Sequence, residues 1–402
     1  MTGIANFEKL DTDGDGIGNN ADTDDDNDEF ENDRTFVYKQ APISFNKWME
    51  QMVKVYKHKG NIGIGFAIST MFRDLILSRY SFFPHLYLTG EKGSGKSKFG
   101  DSIANLFFLK LTPFDLNSGT RVGFYRRLAR NKNVPTFFEE YHDKIDDRMF
   151  QSLKGAFDGR GREKGMATDN NRTSISKVNT SCIIASQYNS IRDDNSLTIR
   201  SLTWSFIKPT ERTNDEVEDF NLLKKWEEEG LSSLILEVIK YRKLMDQNFH
   251  SAFSKNSIAF KKALEGFEYQ ERILNNYNAI YTPVQILFSE FNFPFTLEEY
   301  FSQCVNAIID NSDLLVESEG LSDFWNIVQS LFETKYHGIK RGLHFDIDKR
   351  HAVKIQVRKG EQEEWQNEKR CNILFLRLNQ VHQKYADVAS KRDGTDVIGE
   401  GS

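Results

Sequence analysis

Cysteine is scarce in this chain: three residues in 402, Cys182, Cys304 and Cys371, stand far apart and form no C-x-x-C pair. That spacing supports neither a zinc site nor a disulfide framework. It fits a reducing compartment, so the expected location is the cytoplasm of a bacterial or host cell. A basic segment followed by an apolar stretch is also missing from the start, and the most apolar early run, Ile62 to Phe72, stops at Arg73 and Asp74. Neither secretion nor membrane insertion is expected. No internal repeat appears beyond one aspartate run. Net charge is small, −6, and hides an asymmetry: residues 1–40 hold twelve acids against Lys9, Arg34 and Lys39, which leaves +3 on residues 41–402. A mildly basic body behind an acidic tail permits a nucleic-acid partner without requiring one. With 39% hydrophobic and 28% charged residues, the composition is that of a globular chain with a full core and room for about two or three domains.

Aspartate concentrates in Asp11-Thr12-Asp13-Gly14-Asp15-Gly16-Ile17-Gly18 and again from Asp22 to Asp28. Carboxylates at alternate positions followed by glycine suit a hard cation, which makes Asp11, Asp13, Asp15 and Asp22 candidate calcium ligands. The segment resembles the calcium-binding type 3 repeat of thrombospondin-like proteins. Its charge and lack of apolar residues make a solvated, disordered tail the simpler expectation.

What is present in strength is a phosphate-binding loop. Gly90-Glu91-Lys92-Gly93-Ser94-Gly95-Lys96-Ser97 fits G-x-x-x-x-G-K-[ST] at every fixed position. It lies between an apolar strand, Leu86-Tyr87-Leu88, and a helix expected to carry Phe99, Ile103, Leu106 and Phe107 on one face. Glycines let backbone N–H groups and the positive helix end face an anion. Lys96 then reaches the terminal phosphates, and the Ser97 hydroxyl can ligate magnesium. ATP and Mg2+ are the expected ligands.

Hydrolysis further requires carboxylates at the end of a neighbouring strand. Val134-Pro135-Thr136-Phe137-Phe138-Glu139-Glu140 reads as the second core strand, with Glu139 beside the magnesium shell and Glu140 placed to orient or deprotonate the attacking water. Pro135 is acceptable there only as the first residue of the strand. Asn179 to Gln187 reads as another buried strand, and its last residue, Gln187, is a candidate sensor of the γ-phosphate. Arg200 stands just before an apolar strand, Leu202 to Phe206, from which it could project into a neighbouring subunit's site; Arg192 is its rival. Between the acids and the sensor strand, Lys154 to Gly165 is rich in glycine and cations, and a hairpin is expected to turn at Asp169-Asn170-Asn171. Arg160, Arg162, Lys164, Arg172 and Lys177 are candidates for neutralising the phosphates of a single strand. A solvated loop is the alternative reading.

The fold class expected is α/β, a P-loop NTPase with a parallel sheet and flanking helices. Residues 41–83 read as N-terminal helices with Trp48, Met52 and Val55 on one stripe, and 84–209 as the NTPase core, after the acidic tail 1–40. Residues 210–335 read as a helical lid opened by the capping box at Thr213-Asn214-Asp215-Glu216, and 336–402 as a small α+β or winged-helix module. Alternation at Leu343, Phe345, Ile347 and at Val353, Ile355, Val357 predicts strand structure there, and Val381 to Val388 predicts a helix. His344, Asp346, Asp348 and His351 raise the question of a metal nuclease site, but alternation puts 344, 346 and 348 on one outward strand face.

With these parts in order, residues 84–245 resemble the ATPase domain of phage, plasmid and mobile-element primase-helicases, relatives of the superfamily 3 and AAA+ ring helicases. The likeness rests on Gly90 to Ser97, Glu139 and Glu140, the basic hairpin ahead of Ser186-Gln187, and Arg200. It implies a hexameric ring in which ATP bridges two subunits and Arg162, Lys164, Arg172 and Lys177 grip single-stranded DNA in the pore. The family usually has Asn at the sensor and Asp before the Glu of the acidic pair, where this chain has Gln187 and Glu139. No primase module is recognisable, so any priming would fall to another chain or to a missing portion. The expected function is an ATP-dependent ring helicase or translocase in replication of a mobile element. The alternative is an AAA+-like ATPase that remodels protein or duplex DNA without unwinding. A calcium-binding adhesion protein is the non-enzymatic reading.

Overall fold

Before the phosphate loop the chain forms three helices, α1 (Phe45–Tyr56), α2 (His58–Met71) and α3 (Arg73–Tyr80). The computed structural model describes residues 38–108, 112–165, 173–176, 178–190, 192–209, 211–333, 338–356 and 362–389. The Ser44 side chain caps α1 by accepting from the Lys47 N–H, and the helix buries Phe45, Trp48, Met49 and Met52 at helical spacing. All of α2 from Gly60 to Met71 is buried, so the apolar early run is a core helix. Among the described residues no helix is long and apolar enough to cross a membrane.

The core then runs β1 (His85–Gly90), α4 (Lys96–Ala104), β2 (Phe114–Asp115), α5 (Arg121–Arg130), β3 (Pro135–Tyr141) and α6 (Asp147–Phe157). A hairpin of β4 (Arg162–Gly165) and β5 (Thr173–Ser176) follows, then β6 (Ser181–Ser186), α7 (Arg192–Asn195) and β7 (Ser201–Phe206). Five strands make one parallel sheet in the order β2-β3-β6-β1-β7. Tyr87, Phe138 and Ile184 from three of these strands pack with Phe124 of α5 and Phe150 and Leu153 of α6 in one buried cluster. The α/β fold expected from the sequence is borne out. Two details differ. Helix α4 ends at Ala104, so Leu106 and Phe107 are buried from the turn beyond it, where the Asn105 amide donates to Glu227 at 3.0 Å. The acid-bearing strand is the third rather than the second, because β2 has only two residues and leaves no periodic trace.

Helices α8 (Asn214–Glu229), α9 (Leu234–Ile239), α10 (Arg242–Ala263), α11 (Glu271–Leu287) and α12 (Leu297–Glu333) make up the helical region. The capping box is formed: the Thr213 hydroxyl accepts from Glu216 N–H while the Glu216 carboxylate accepts from Thr213 N–H. Asparagines of this region cover the free edge of β7. The Asn311 amide accepts from the Thr203 N–H at 2.9 Å and donates to the Thr203 carbonyl at 3.2 Å, while Asn276 donates to the Ser201 carbonyl at 3.4 Å and to that of Ile199, just before the strand, at 3.1 Å. Side-chain amides thus stand in for the next strand and satisfy an edge that would otherwise invite pairing. Asp74 ties α3 to α10 and to the loop before β3, accepting from Arg242 at 2.7 Å, Lys132 at 3.1 Å and Asn133 at 2.9 Å. Burial pulls its carboxyl up, but these hydrogen bonds outweigh that and hold it at about 2.

The chain divides into two compact units between Asp313 and Leu314. In the second, β8 (Phe345–Gln356) and β9 (Gln362–Leu376) form an antiparallel ribbon followed by α13 (Leu378–Ala389). Val328, Leu331, Ile339, Val381 and Tyr385 form its buried cluster. The two alternating stretches expected here are one strand, β8, with a register shift between Arg350 and Ala352. Strand β9 was not anticipated, because Gln362 to Arg370 is polar almost throughout. His344 is buried and accepts at Nδ1 from the Lys340 N–H at 3.0 Å, while Asp346 pairs with Arg341 and Asp348 with Arg350. Among the described residues no cluster of three potential ligands could hold a metal.

His85, at the foot of β1, is buried and donates through Nε2 to the Leu153 carbonyl at 2.9 Å. Burial pushes its imidazole down to about 4 from an ordinary 6.5, and the charges of Arg73 and Arg200 add to the effect. An unfolded histidine takes a proton that the folded one refuses, so the unfolded state binds more protons between pH 6.5 and about 4. The stabilising contribution is complete above that window and is lost as pH falls through it. This group should cost the wild type on the order of 3 kcal/mol between neutrality and the bottom of the window. His85→Gln, which keeps an N–H for Leu153, should flatten the pH dependence of urea unfolding; an unchanged dependence would exclude His85 as its source.

Candidate functional site

The phosphate loop is built on three glycines with positive φ: Gly90 at 143°, Gly93 at 85° and Gly95 at 95°. Only glycine adopts these values without strain. At Gly90 space is equally decisive, because a Cβ would lie 2.2 Å from the Phe206 carbonyl oxygen of β7. Gly95 precedes α4, and a Cβ there would meet nothing within 4 Å, so the mouth of the loop is open in front of the helix N-terminus. Lys96 Nζ reaches back across the loop to the Glu91 carbonyl at 3.4 Å. The Ser94 hydroxyl is buried and has no hydrogen-bond partner among the described residues. A curled glycine backbone, a helix start, the Lys96 ammonium and an unmatched hydroxyl make a surface suited to a phosphate chain.

The acids stand opposite because of an irregularity in β3. Phe138 pairs with Ile184 and Tyr141 with Ser186, so β3 spends one more residue than β6 over this stretch. Glu140 takes up the excess at φ 55°, a left-handed value uncommon outside glycine. Glu139 is half-buried, with its carbonyl accepting from Leu116 N–H at 3.1 Å, and Glu140 is exposed. Strand β6 lies between β1 and β3, and Ser186 is level with both Thr89 and Tyr141, so Gln187 emerges between the phosphate loop and the acids. Lys96, Ser97, Glu139, Glu140, Ser186 and Gln187 line one narrow cleft. These are the residues that the sequence nominated separately.

Residues not anticipated border the same loop. A cavity of about 300 Å³ is lined by Ser94 and Gly95 together with Tyr56, Lys57, Phe206, Ile207, Arg212, Glu216 and Phe220. Lys57 joins α1 to α2 at a positive φ of 53° and pairs with Glu216 at 3.8 Å. Tyr56 Oη donates to the Lys98 carbonyl of α4 at 2.9 Å. The wall mixes apolar rings and aliphatics with a few charged groups, as a nucleoside would need. Its parts are separated by more than 140 residues of chain, and no local pattern announces them.

Arg200 lies at the opposite end of the sheet. In the β1 and β7 ladder His85 pairs with Ser201 and Gly90 with Phe206, which puts Arg200 beyond the foot of the sheet, roughly 20 Å from its own phosphate loop at strand spacing. Its Nη1 donates to the Ser196 carbonyl at 2.6 Å, and its guanidinium stands 5.8 Å from the Phe157 ring centre. Arg192 donates to the carbonyls of Asp143 at 3.1 Å and Ile145 at 2.9 Å, pairs with Asp147 and covers the Phe150 ring at 4.3 Å. It is committed to holding the start of α6 in place.

In the basic hairpin, Arg162 and Lys164 are on β4, opposite Ser176 and Ser174 of β5. Arg160 is exposed just before it and shares a cleft of about 400 Å³ with Arg200. Arg172, Lys177 and the turn at Asp169 to Asn171 lie outside the described residues, as do Asp11, Asp13, Asp15 and Asp22.

Compared by sequence, the chain matches no family model and no curated protein. Compared by structure, it is similar to the SCCmec type IV Cch active helicase, with a TM-score of 0.55 and 17% identity over 90% of this chain and 66% of that one. The two share a fold. The chain spans just under two thirds of that helicase. More distant likenesses are to the JCV helicase, at TM-score 0.29 and 15% identity over 61% of this chain and 67% of that one, and to the NrS-1 C-terminal region, at 0.28 and 12% over 67% and 72%. Both are too slight to add to it. The calcium reading of the acidic tail gains no support from these comparisons.

The two loop glycines should respond differently to alanine. Gly95→Ala incurs backbone strain alone, roughly 1–2 kcal/mol, whereas Gly90→Ala adds a clash with the β7 main chain and should cost more in urea unfolding. Equal losses would contradict the close approach of Gly90 to Phe206.

Proposed function

We propose that the chain is a magnesium- and ATP-dependent ring helicase or translocase that moves along single-stranded DNA in the replication of a phage, plasmid or mobile element. The observation that carries this reading is the convergence of Lys96, Ser97, Glu139, Glu140 and Gln187 on one cleft. The triphosphate rests on the loop amides and Lys96, and the base enters the neighbouring cavity. The Ser97 hydroxyl and Glu139 carboxylate are hard oxygen donors in that cleft and fit magnesium; when bound, the ion neutralises charge on the phosphates. Glu140 orients the attacking water and takes its proton, and Gln187 contacts the γ-phosphate.

Arg200 is too far from its own loop to act there, which supports a ring in which each subunit's arginine serves the next, with a hexamer as the working assembly. Arg160, Arg162, Lys164, Arg172 and Lys177 then face the strand in the pore. The fold shared with an active helicase favours this reading over a remodelling ATPase. A primase partner would supply primers, and the cytosol is the fitting location.

ATP turnover should rise on adding single-stranded DNA and vanish in Lys96→Ala. Glu140→Gln should still bind ATP while turning over ~100-fold or more slowly. Turnover indifferent to DNA would favour the remodelling ATPase, and turnover that survives Lys96→Ala would remove the site from consideration. The pore assignment is tested by salt: removing one cation that neutralises a phosphate flattens the plot of log affinity against log salt by about 0.7 for a single strand. Replacing Lys164 and Arg172 with alanine should reduce the slope accordingly; an identical slope would show that neither side chain meets the strand.

A further inference from the structure

Glu140 is held in an uncommon backbone conformation, so something must hold it there. The residue that closes the bulge is Tyr141, and buried Ser186 and Ser190 and half-buried Asp143 fasten it. Ser186 Oγ donates to the Tyr141 carbonyl at 2.9 Å and accepts from the Tyr188 N–H at 3.2 Å. The Tyr141 hydroxyl lies 3.0 Å from Asp143 Oδ1 and 2.8 Å from Ser190 Oγ, and Ser190 Oγ donates to the same carboxylate oxygen at 2.7 Å. Tyr141 and Ser190 are 3% and 1% exposed and Asp143 is half-buried, so the two hydroxyls meet each other and the carboxylate largely out of water. The loop that leaves the sensor strand is thereby bound to the end of the acid strand.

The network continues toward the other end of the sheet. Ser190's carbonyl accepts from Thr198 Oγ1 at 2.8 Å, and Thr198 opens the short 3-10 turn that ends at Arg200. Tyr87 of β1 adds a bond from its hydroxyl to the Tyr188 carbonyl at 3.1 Å. One connected set of buried and half-buried hydrogen bonds therefore links Tyr141 beside Glu140, the Gln187 loop and the Arg200 turn. We propose that Tyr141, Asp143 and Ser190 are positioning residues that set Glu140 in its own site and register the Arg200 turn for the next subunit's site. This rests on the proposed ATPase reading. It goes beyond that reading in making the two ends of the sheet respond to one latch, so that a change at the acids is felt at the turn.

Two measurements on the full chain test it. In single-strand-stimulated turnover, Tyr141→Phe and Ser190→Ala should each lower kcat by ~10-fold to ~100-fold, with KM for ATP and affinity for single-stranded DNA within about twofold of wild type. A loss spread equally over kcat and KM, or no loss, overturns the latch. Hydrogen exchange reads it without turnover: Ser190→Ala should speed exchange both at Glu139 to Asp143 and at Thr198 to Arg200. Faster exchange at neither segment, or at only one of them, also overturns it. Absence of ATP turnover in the wild type would count against the proposed function, and the exchange result would still decide the latch.

Discussion

Everything at the candidate site depends on β6 lying hydrogen-bonded between β1 and β3 in parallel register. Parallel strands end together, so the ladder brings the glycine loop, the acid pair and Gln187 to one edge of the sheet. A slip of one residue would swap the faces that Ser186 and Gln187 occupy and separate the acids from Lys96. The register is specified by burial: every residue of β6 is buried, and Ile183 and Ile184 face different packing layers. Function at the edge is therefore secured by apolar packing below it.

The working parts are irregular where the scaffold is regular. Positive φ values at Gly90, Gly93, Gly95 and Glu140 fall at the strand ends or just beyond them, while β1 and β6 are almost wholly buried and evenly paired. Such conformations persist only when the surroundings over-determine them. Here the surroundings are the aromatic cluster on one side of the sheet, the Tyr141 network at its edge, and the asparagines that close the outer side of β7. Asp74 adds a charged tie from α3 to both α10 and the segment leading into β3. The helical region is thus fastened to the sheet by directional bonds as well as by apolar contact.

Legibility in the sequence followed locality. The glycine loop, the strand bearing Glu139 and Glu140, the strand leading to Gln187 and the Thr213 cap were each written in a few consecutive residues, and the structure forms each of them. Pro135 stands as the first residue of its strand, as its missing N–H demands. Features made by distant segments were not legible. The bulge at Glu140 depends on how many residues β6 spends beside it, and the cavity beside Ser94 joins α1 to α8 across the whole core. Strands that lack apolar alternation, β2 by brevity and β9 by polarity, left no periodic signal. Arg192 and Arg200 look alike in sequence; only their partners separate a cation absorbed by Asp143, Ile145 and Asp147 from one stationed at the foot of the sheet.

The central claim is that the bulged acids face a triphosphate held on the Gly90 to Ser97 loop. An experimental structure of the full chain with magnesium and a non-hydrolysable ATP analogue tests it most directly. Phosphates should lie on the loop amides and Lys96, the metal on Ser97 and Glu139, and the Glu140 carboxylate within hydrogen-bond reach of a water in line with the γ-phosphate. Phosphates bound on that loop with both carboxylates turned away from them would contradict it.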